Sequence, residues 1–424
     1  MARKYALIDV ATGLPVVDDG GVKWDSITWP AGTRAEIFDM SRGARISPGC
    51  FTVPADSEPV PPPEEPVPIP PPIPPVDEEE EDIPAPPVHT SNFVDHLIAH
   101  FNDDEALDWQ DGNVTLKSPV ALGASSNKTG FNLNMNEASV FCDYNDPTKH
   151  AITFAIAEPN INIREFAVKE IKFRRVTPFA GALRFRCPIN TSWIYSFTAG
   201  DISCGGHTEH ALHLDGSVFE ANFPRLKSTN GKGLFRATTY VTSQGHALPS
   251  AMVGEDWRPR DFEGHAIQMD SPTPYAEPFD LRLTEGYVVT GLGSGMGLHA
   301  PSGLTSIEGF GFENIKGKAA MYLGYRGGDV IRCQGSNPSP NTNVASNPGM
   351  AHLVFCELTG TLTLDGCSVE NYGSGSGMKL AKVMDLQGAG KIVVNPTSSH
   401  PNADDIEGNF AKDRFAIVVY KPKA

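Results

Sequence analysis

The sequence has no run of 18 apolar residues, so no membrane-spanning helix is expected. Clustered Lys and Arg are also missing: 34 basic against 51 acidic residues leave a net charge of −17. Phosphate contacts need such clusters, which argues against nucleic-acid binding. Seven cysteines at scattered spacings imply no complete disulfide framework. Asp9 interrupts the short apolar run behind the basic start, so no signal peptide is expected. Long amphipathic helices are absent, and Asn-Gly hairpin signals are scarce apart from Asn230-Gly231. What is abundant is glycine (41) and proline (36) in a chain that is 40% apolar, a composition that favours turn-rich β architecture.

The charge is unevenly placed. No Lys or Arg occurs from Ile46 through Leu116, against sixteen Asp and Glu. The segments on either side are nearly neutral. Within the acidic strip, residues 58–87 hold 14 prolines and no aromatic residue. Such a stretch buries no apolar area and lacks backbone donors, which predicts an extended polyproline-II spacer, stiffened by the self-repelling Asp77–Asp82 run. A disordered linker and a strap docked along a partner both fit it. The expected organisation is a small β-domain over 1–54, a linker over 55–90, a short helix within 91–110, a repeat domain over 111–396 and a C-terminal cap strand over 397–424.

In the first 54 residues, alternation in KYALIDV, turn signals at Thr12-Gly13 and Asp19-Gly20-Gly21, and apolar residues such as Trp24, Ile27 and Trp29 predict three or four short strands. The pattern KYALIDVATGLPV, VKWDSITWPAG, PGCFTVP resembles a short module at the ends of bacteriophage tail-fibre and accessory proteins. That resemblance implies attachment to a virion. After the spacer, Ser91 can cap a helix whose stripe is Phe93, Leu97, Ile98 and Phe101. A cap on the next domain and a trimeric neck are the alternatives.

From Val114 to Asn395 short β-type runs alternate with Gly, Asn, Asp and Ser. Residues 307–315 (IEGFGFENI) and 364–372 (LDGCSVENY) repeat one pattern, and 214–223 (LDGSVFEANF) gives a third copy with one insertion. The 57-residue offset corresponds to two or three solenoid coils. This predicts a mainly β chain dominated by a right-handed parallel β-helix of the pectin-lyase-like kind, with about eleven coils. Gly216, Gly309 and Gly366 suit positive φ, and Asn314 and Asn371 suit equivalent corners. A β-sandwich is the competitor. Cys333, Cys356 and Cys367 fit interior stacks. The organisation resembles phage tailspikes and β-helical tail or head fibres, which implies a homotrimer exposed on a virion assembled in the host cytoplasm. Other virion proteins would bind residues 1–90, and a host surface glycan would bind the shaft. Polysaccharide depolymerisation and structural decoration of head or neck are the competing functions.

Candidate chemistry is sparse. Glu209, Asp215 and Glu220 are the carboxylates that could pair for glycan cleavage. Glu308 with Glu313, and Asp365 with Glu370, belong to the repeat and read as corners. The run CGGHTEHALH spaces Cys204, His207, His210 and His213 by threes, which allows a zinc site in a loop or on a trimer axis. Solvated histidines, with no metal and no cofactor, are the simpler reading. The longest break in the β pattern, around 242–280, contains Trp257, Arg258 and Arg260. A projecting aromatic and arginine loop there would suit sugar stacking and acidic groups. Trp193 and Tyr195 in SWIYSF read equally as a second aromatic site or as core.

Overall fold

The computed structural model describes residues 91–242, 245–270, 279–301, 305–324, 326–336, 351–370, 378–385, 390–394, 406–408 and 415–417, together with four short N-terminal strands. Chain contacts divide the molecule into Met1–Ile83 and Pro84–Ala424. In the first unit, Tyr5–Asp9 pairs antiparallel with Arg34–Asp39, which also pairs with Ala44–Arg45 and Phe51–Thr52. The proline-rich strip lies outside the described residues, as do Trp24, Ile27 and Trp29.

The second unit is a parallel β-helix. One face is an eleven-stranded sheet in which each coil adds one strand, from Val120–Ala124 to Ile406–Gly408. A single buried column runs through it: Ile152 pairs with Leu183, Leu183 with Leu212, Leu212 with Phe235 and Phe235 with Ile267. It continues through Leu298, Met321 and Val354 to Ala381. At about 4.8 Å per strand the stack is about 50 Å long. A nineteen-stranded sheet supplies the remaining faces. Among the described pairings of this unit, only the hairpin Tyr240–Thr242 with Gly245–Ala247 is antiparallel, which removes the sandwich alternative. The two copies of the repeat lie two coils apart, because Ile307 pairs with Val330 and Val330 with Leu364.

Bends in the second sheet recur at five-residue intervals. Ser196, Asp201 and Gly206 have positive φ in one coil, Glu220, Arg225 and Asn230 in the next, then Ala251, Asp256 and Asp261, then Asp280, Glu285 and Thr290. Each left-handed residue turns the chain and resets the in–out alternation behind it. Gly309 (φ 68°) and Gly366 (φ 60°) occupy the same column, with Arg332 (φ 50°) between them. Gly216 is also positive, at 94°. Asn314 is a left-handed corner, whereas Asn371 lies outside the described residues.

The bends correct one expectation. The supposed loop around 242–280 contains a thirteen-residue strand, Ser250–Phe262. Its bends at 251, 256 and 261 break the period-two pattern that would have revealed it.

The helix Ser91–Asp103 covers the first coils. Phe93, Leu97 and Phe101 are buried, and Phe101 meets Phe131 and Phe154 at ring separations of 5.4 and 6.0 Å. Ile98 is 39% exposed and is not part of that stripe. At the other end, Ile406–Gly408 and Phe415–Ile417 each join a sheet in parallel, the latter on Lys391–Val394. The coil pattern therefore extends beyond residue 396. Cys333, Cys356 and Cys367 are fully buried, as interior fillers.

Candidate functional site

Trp257 cannot stack on a ligand. Its side chain is fully buried, its indole Nε1 donates to the Phe223 carbonyl at 2.7 Å, and its ring lies 4.8 Å from that of Phe235. The strand bends at Asp256, which turns Trp257 inward and leaves Arg258 outside. Trp257→Ala should cost about 3–5 kcal/mol in denaturant unfolding, as large aromatic truncations in a core do. A loss below about 1 kcal/mol would contradict its place in the core.

Arg258 and Arg260 are exposed, but each meets an acid of its own strand: Asp256 at 2.7 Å and Asp261 at 3.6 Å. Arg258, with Arg225, Glu255, Asp256, Glu285 and Tyr287, lines an open cavity of about 330 Å³. Three acids outnumber two arginines there, so the cavity offers no surplus of positive charge.

The Cys/His run does not converge. Cys204 is buried, and burial pushes its thiol well above the usual range. His207 Nε2 donates to the Gly233 carbonyl at 2.8 Å, and His210 Nε2 to the His265 carbonyl at 2.9 Å. His213 Nε2 meets Thr238 Oγ1 at 2.9 Å. Three different partners hold the three imidazoles apart. Among the described residues no group of three or more His, Cys, Asp or Glu is placed to hold a metal.

The three candidate carboxylates also separate. Glu209 pairs with Lys232 at 2.9 Å and faces Arg236 at 3.8 Å. Asp215 is fully buried, gripped by Arg184 and 3.7 Å from Arg186. Glu220 is exposed on another face, where it accepts from Ser196 Oγ. Around Asp215, the outer face of the eleven-stranded sheet carries a polar network. Arg236 Nε donates to Asp270 at 2.6 Å, and His213 is held far below its ordinary pKa by burial, then by His150, Arg184 and Arg236. Burial, then the Asp215 carboxylate, raises the Tyr240 phenol.

Glu220 instead belongs to an aromatic groove. Trp193, Tyr195, Phe219 and Glu220 line a cavity of about 250 Å³ on the outside of the second sheet. The register explains the grouping: Arg164 pairs with Tyr195, and Tyr195 with Phe219, so three successive coils present one outward column. Trp193 stands two residues before Tyr195, with Ile194 buried between them. Trp193 is 38% exposed, a large apolar surface left open to water. Arg164 NH1 donates to the Tyr195 hydroxyl at 3.3 Å and fixes that ring's orientation. Ser196 and Glu220 are both left-handed bends, which brings them side by side. An aromatic face beside a carboxylate acceptor can hold a pyranose ring, with C–H groups on the indole and hydroxyls on the acid.

No family model and no curated protein matches the sequence. Among solved structures, the chain is similar to the ORF18 protein of Geobacillus virus E2, with a TM-score of 0.46 and 11% identity. The alignment covers 68% of this chain and 53% of that protein, so the chain spans about half its length. The Streptococcus pneumoniae surface protein and adhesin PfbA aligns at TM-score 0.41 and 10% identity, covering 77% of this chain and 94% of its own. The A-module of the Azotobacter vinelandii mannuronan C-5 epimerase AlgE6 gives 0.32 and 9%, covering 79% and 97%.

Proposed function

We propose that the protein is a bacteriophage fibre or spike that binds host surface polysaccharide through its β-helix. The groove of Trp193, Tyr195, Phe219 and Glu220 carries this reading. A rigid stack of coils holds partly exposed aromatic rings in fixed register, so little ordering is needed on binding. The N-terminal unit is the attachment module in this reading, with other virion proteins as its partners. Three parallel chains form the particle-borne spike.

The test is retention of the host's purified surface polysaccharide by the protein, with the polysaccharide sized afterwards. Wild type should bind it and leave its length unchanged, and Trp193→Ala should weaken binding at least tenfold. Absence of binding by wild type would remove the reading. Shortened chains would favour a depolymerase instead. The observation behind that second reading is the network of Arg184, Asp215, His213 and Arg236, where a neutral imidazole stands among arginines on the outer face.

A further inference from the structure

We infer that the aromatic groove selects neutral saccharides and rejects acidic ones. This rests on the glycan-binding reading above and adds the chemical class of the ligand. The argument is one of charge. Glu220 is exposed at the groove and accepts from a neutral hydroxyl, that of Ser196. Among the described residues it forms no ion pair with a Lys, Arg or His.

Arg164 lies beside the groove, partly engaged by its own neighbours. It donates to the Tyr195 hydroxyl and to Thr129 Oγ1, both at 3.3 Å, and lies 4.0 Å from Glu165. Glu165 and Glu220 together outweigh it by one negative charge. A uronate carboxylate seated on Trp193 would approach Glu220 in a place where two acids face a single guanidinium. A neutral hexose, or one bearing an N-acetyl group, brings only hydroxyl and amide donors to that acid. The arrangement therefore rejects one class of ligand and rewards the other, the two halves of specificity.

The measurement uses the full-length protein labelled with 5-fluorotryptophan. Trp109 and Trp257 are 5% and 0% exposed, whereas Trp193 is open to a ligand, and Trp193→Phe identifies its fluorine resonance. Cellohexaose and chitohexaose serve as neutral probes, and hexagalacturonate as the acidic one. A neutral hexasaccharide is expected to shift the Trp193 resonance with saturation at millimolar concentration, while hexagalacturonate leaves it unmoved. Glu220→Gln should then admit hexagalacturonate, with affinity rising at least fivefold at low salt. The hydroxyl bond from Ser196 survives that substitution, and an unchanged melting curve verifies the fold.

Hexagalacturonate binding to wild type as tightly as the neutral probes would overturn the inference. So would silence of the Trp193 resonance towards both neutral probes at 10 mM. A Trp193 shift that follows protein concentration alone would assign the groove to contact between chains, and would also overturn it. The broader reading fails separately. If wild type and Trp193→Ala retain host polysaccharide equally, this groove is wrong while glycan binding stands. If wild type retains none, glycan binding itself is wrong.

Discussion

Gly233→Ala should destabilise the β-helix by about 2–6 kcal/mol, because this glycine is the gap through which a histidine staples three coils. One corner of the eleven-stranded sheet carries His150, Gly181, His210, Gly233 and His265 on successive coils. Each stands two residues before the buried column of Ile152, Leu183, Leu212, Phe235 and Ile267. His150 Nε2 passes over Gly181 to donate to the His210 carbonyl at 3.1 Å. His210 Nε2 passes over Gly233 to the His265 carbonyl at 2.9 Å. A Cβ on Gly233 would lie 2.1 Å from the His265 oxygen and 2.7 Å from the His210 ring. On Gly181 it would lie 2.2 Å from the His210 oxygen.

Alanine therefore displaces the imidazole and strands its donor. Overpacking a tight core costs about 1–3 kcal/mol, and leaving a buried hydrogen-bonding group unpaired costs about 1–3 kcal/mol more. Coil stability depends on nearest neighbours, so the damage spreads along the stack. Gly123→Ala is the control, since no atom beyond its own chain neighbours lies within 4 Å of its Cβ position. Denaturant unfolding followed by circular dichroism decides the matter. A loss for Gly233→Ala no greater than that for Gly123→Ala would mean the staple has no energetic role.

That alternation was readable in retrospect. HAI at 150–152, GAL at 181–183, HAL at 210–212, GLF at 233–235 and HAI at 265–267 share one template. Unequal coils hide it: Leu212 to Phe235 is 23 residues, and Met321 to Val354 is 33. A fixed-period search finds only copies whose intervening lengths agree by chance, such as those at 307 and 364. The parallel β-helix was legible because short strands, small corner residues and the absence of hairpins all point the same way. The site was less so. Trp257 beside two arginines resembles a ligand loop until the bend at Asp256 is known, and that bend turns the ring inward. The groove unites Arg164, Tyr195 and Phe219 over steps of 31 and 24 residues, a register that only the folded coil defines. The signal that does exist is the five-residue spacing of polar residues and glycine at 196, 201, 206, then 220, 225, 230. It marks bends, and with bends assigned the outward residues follow.

Lowering the pH from 7.5 to 5.5 should weaken the fold steeply, through His150 and His210 of that staple and through His207, which bonds the Gly233 carbonyl. His150, His207 and His210 are each under 5% exposed. Each donates Nε2–H to a backbone carbonyl, and their Nδ1 atoms are buried without a partner. A second proton would place an unpaired, charged donor in a dry site. Burial, the largest cause in each case, holds His150 down to about 3 and His207 to about 4, and His210 well below 6.5. The folded chain therefore refuses protons that the unfolded chain accepts below about pH 6.5. Above that value these groups contribute no pH dependence. Below it, each costs about 1.4 kcal/mol of stability per pH unit until its folded value is reached, so the three together cost about 4 kcal/mol per unit. His207→Gln keeps an N–H for the Gly233 carbonyl and removes one titrating ring. Its stability should therefore fall about 1.4 kcal/mol per unit less steeply than wild type below pH 6. Denaturant midpoints measured across the range give both slopes. Equal slopes for the two proteins would show that His207 already carries its proton in the fold. Buried histidines thus make the shaft a structure for neutral surroundings, firm at pH 7 and increasingly fragile toward pH 5.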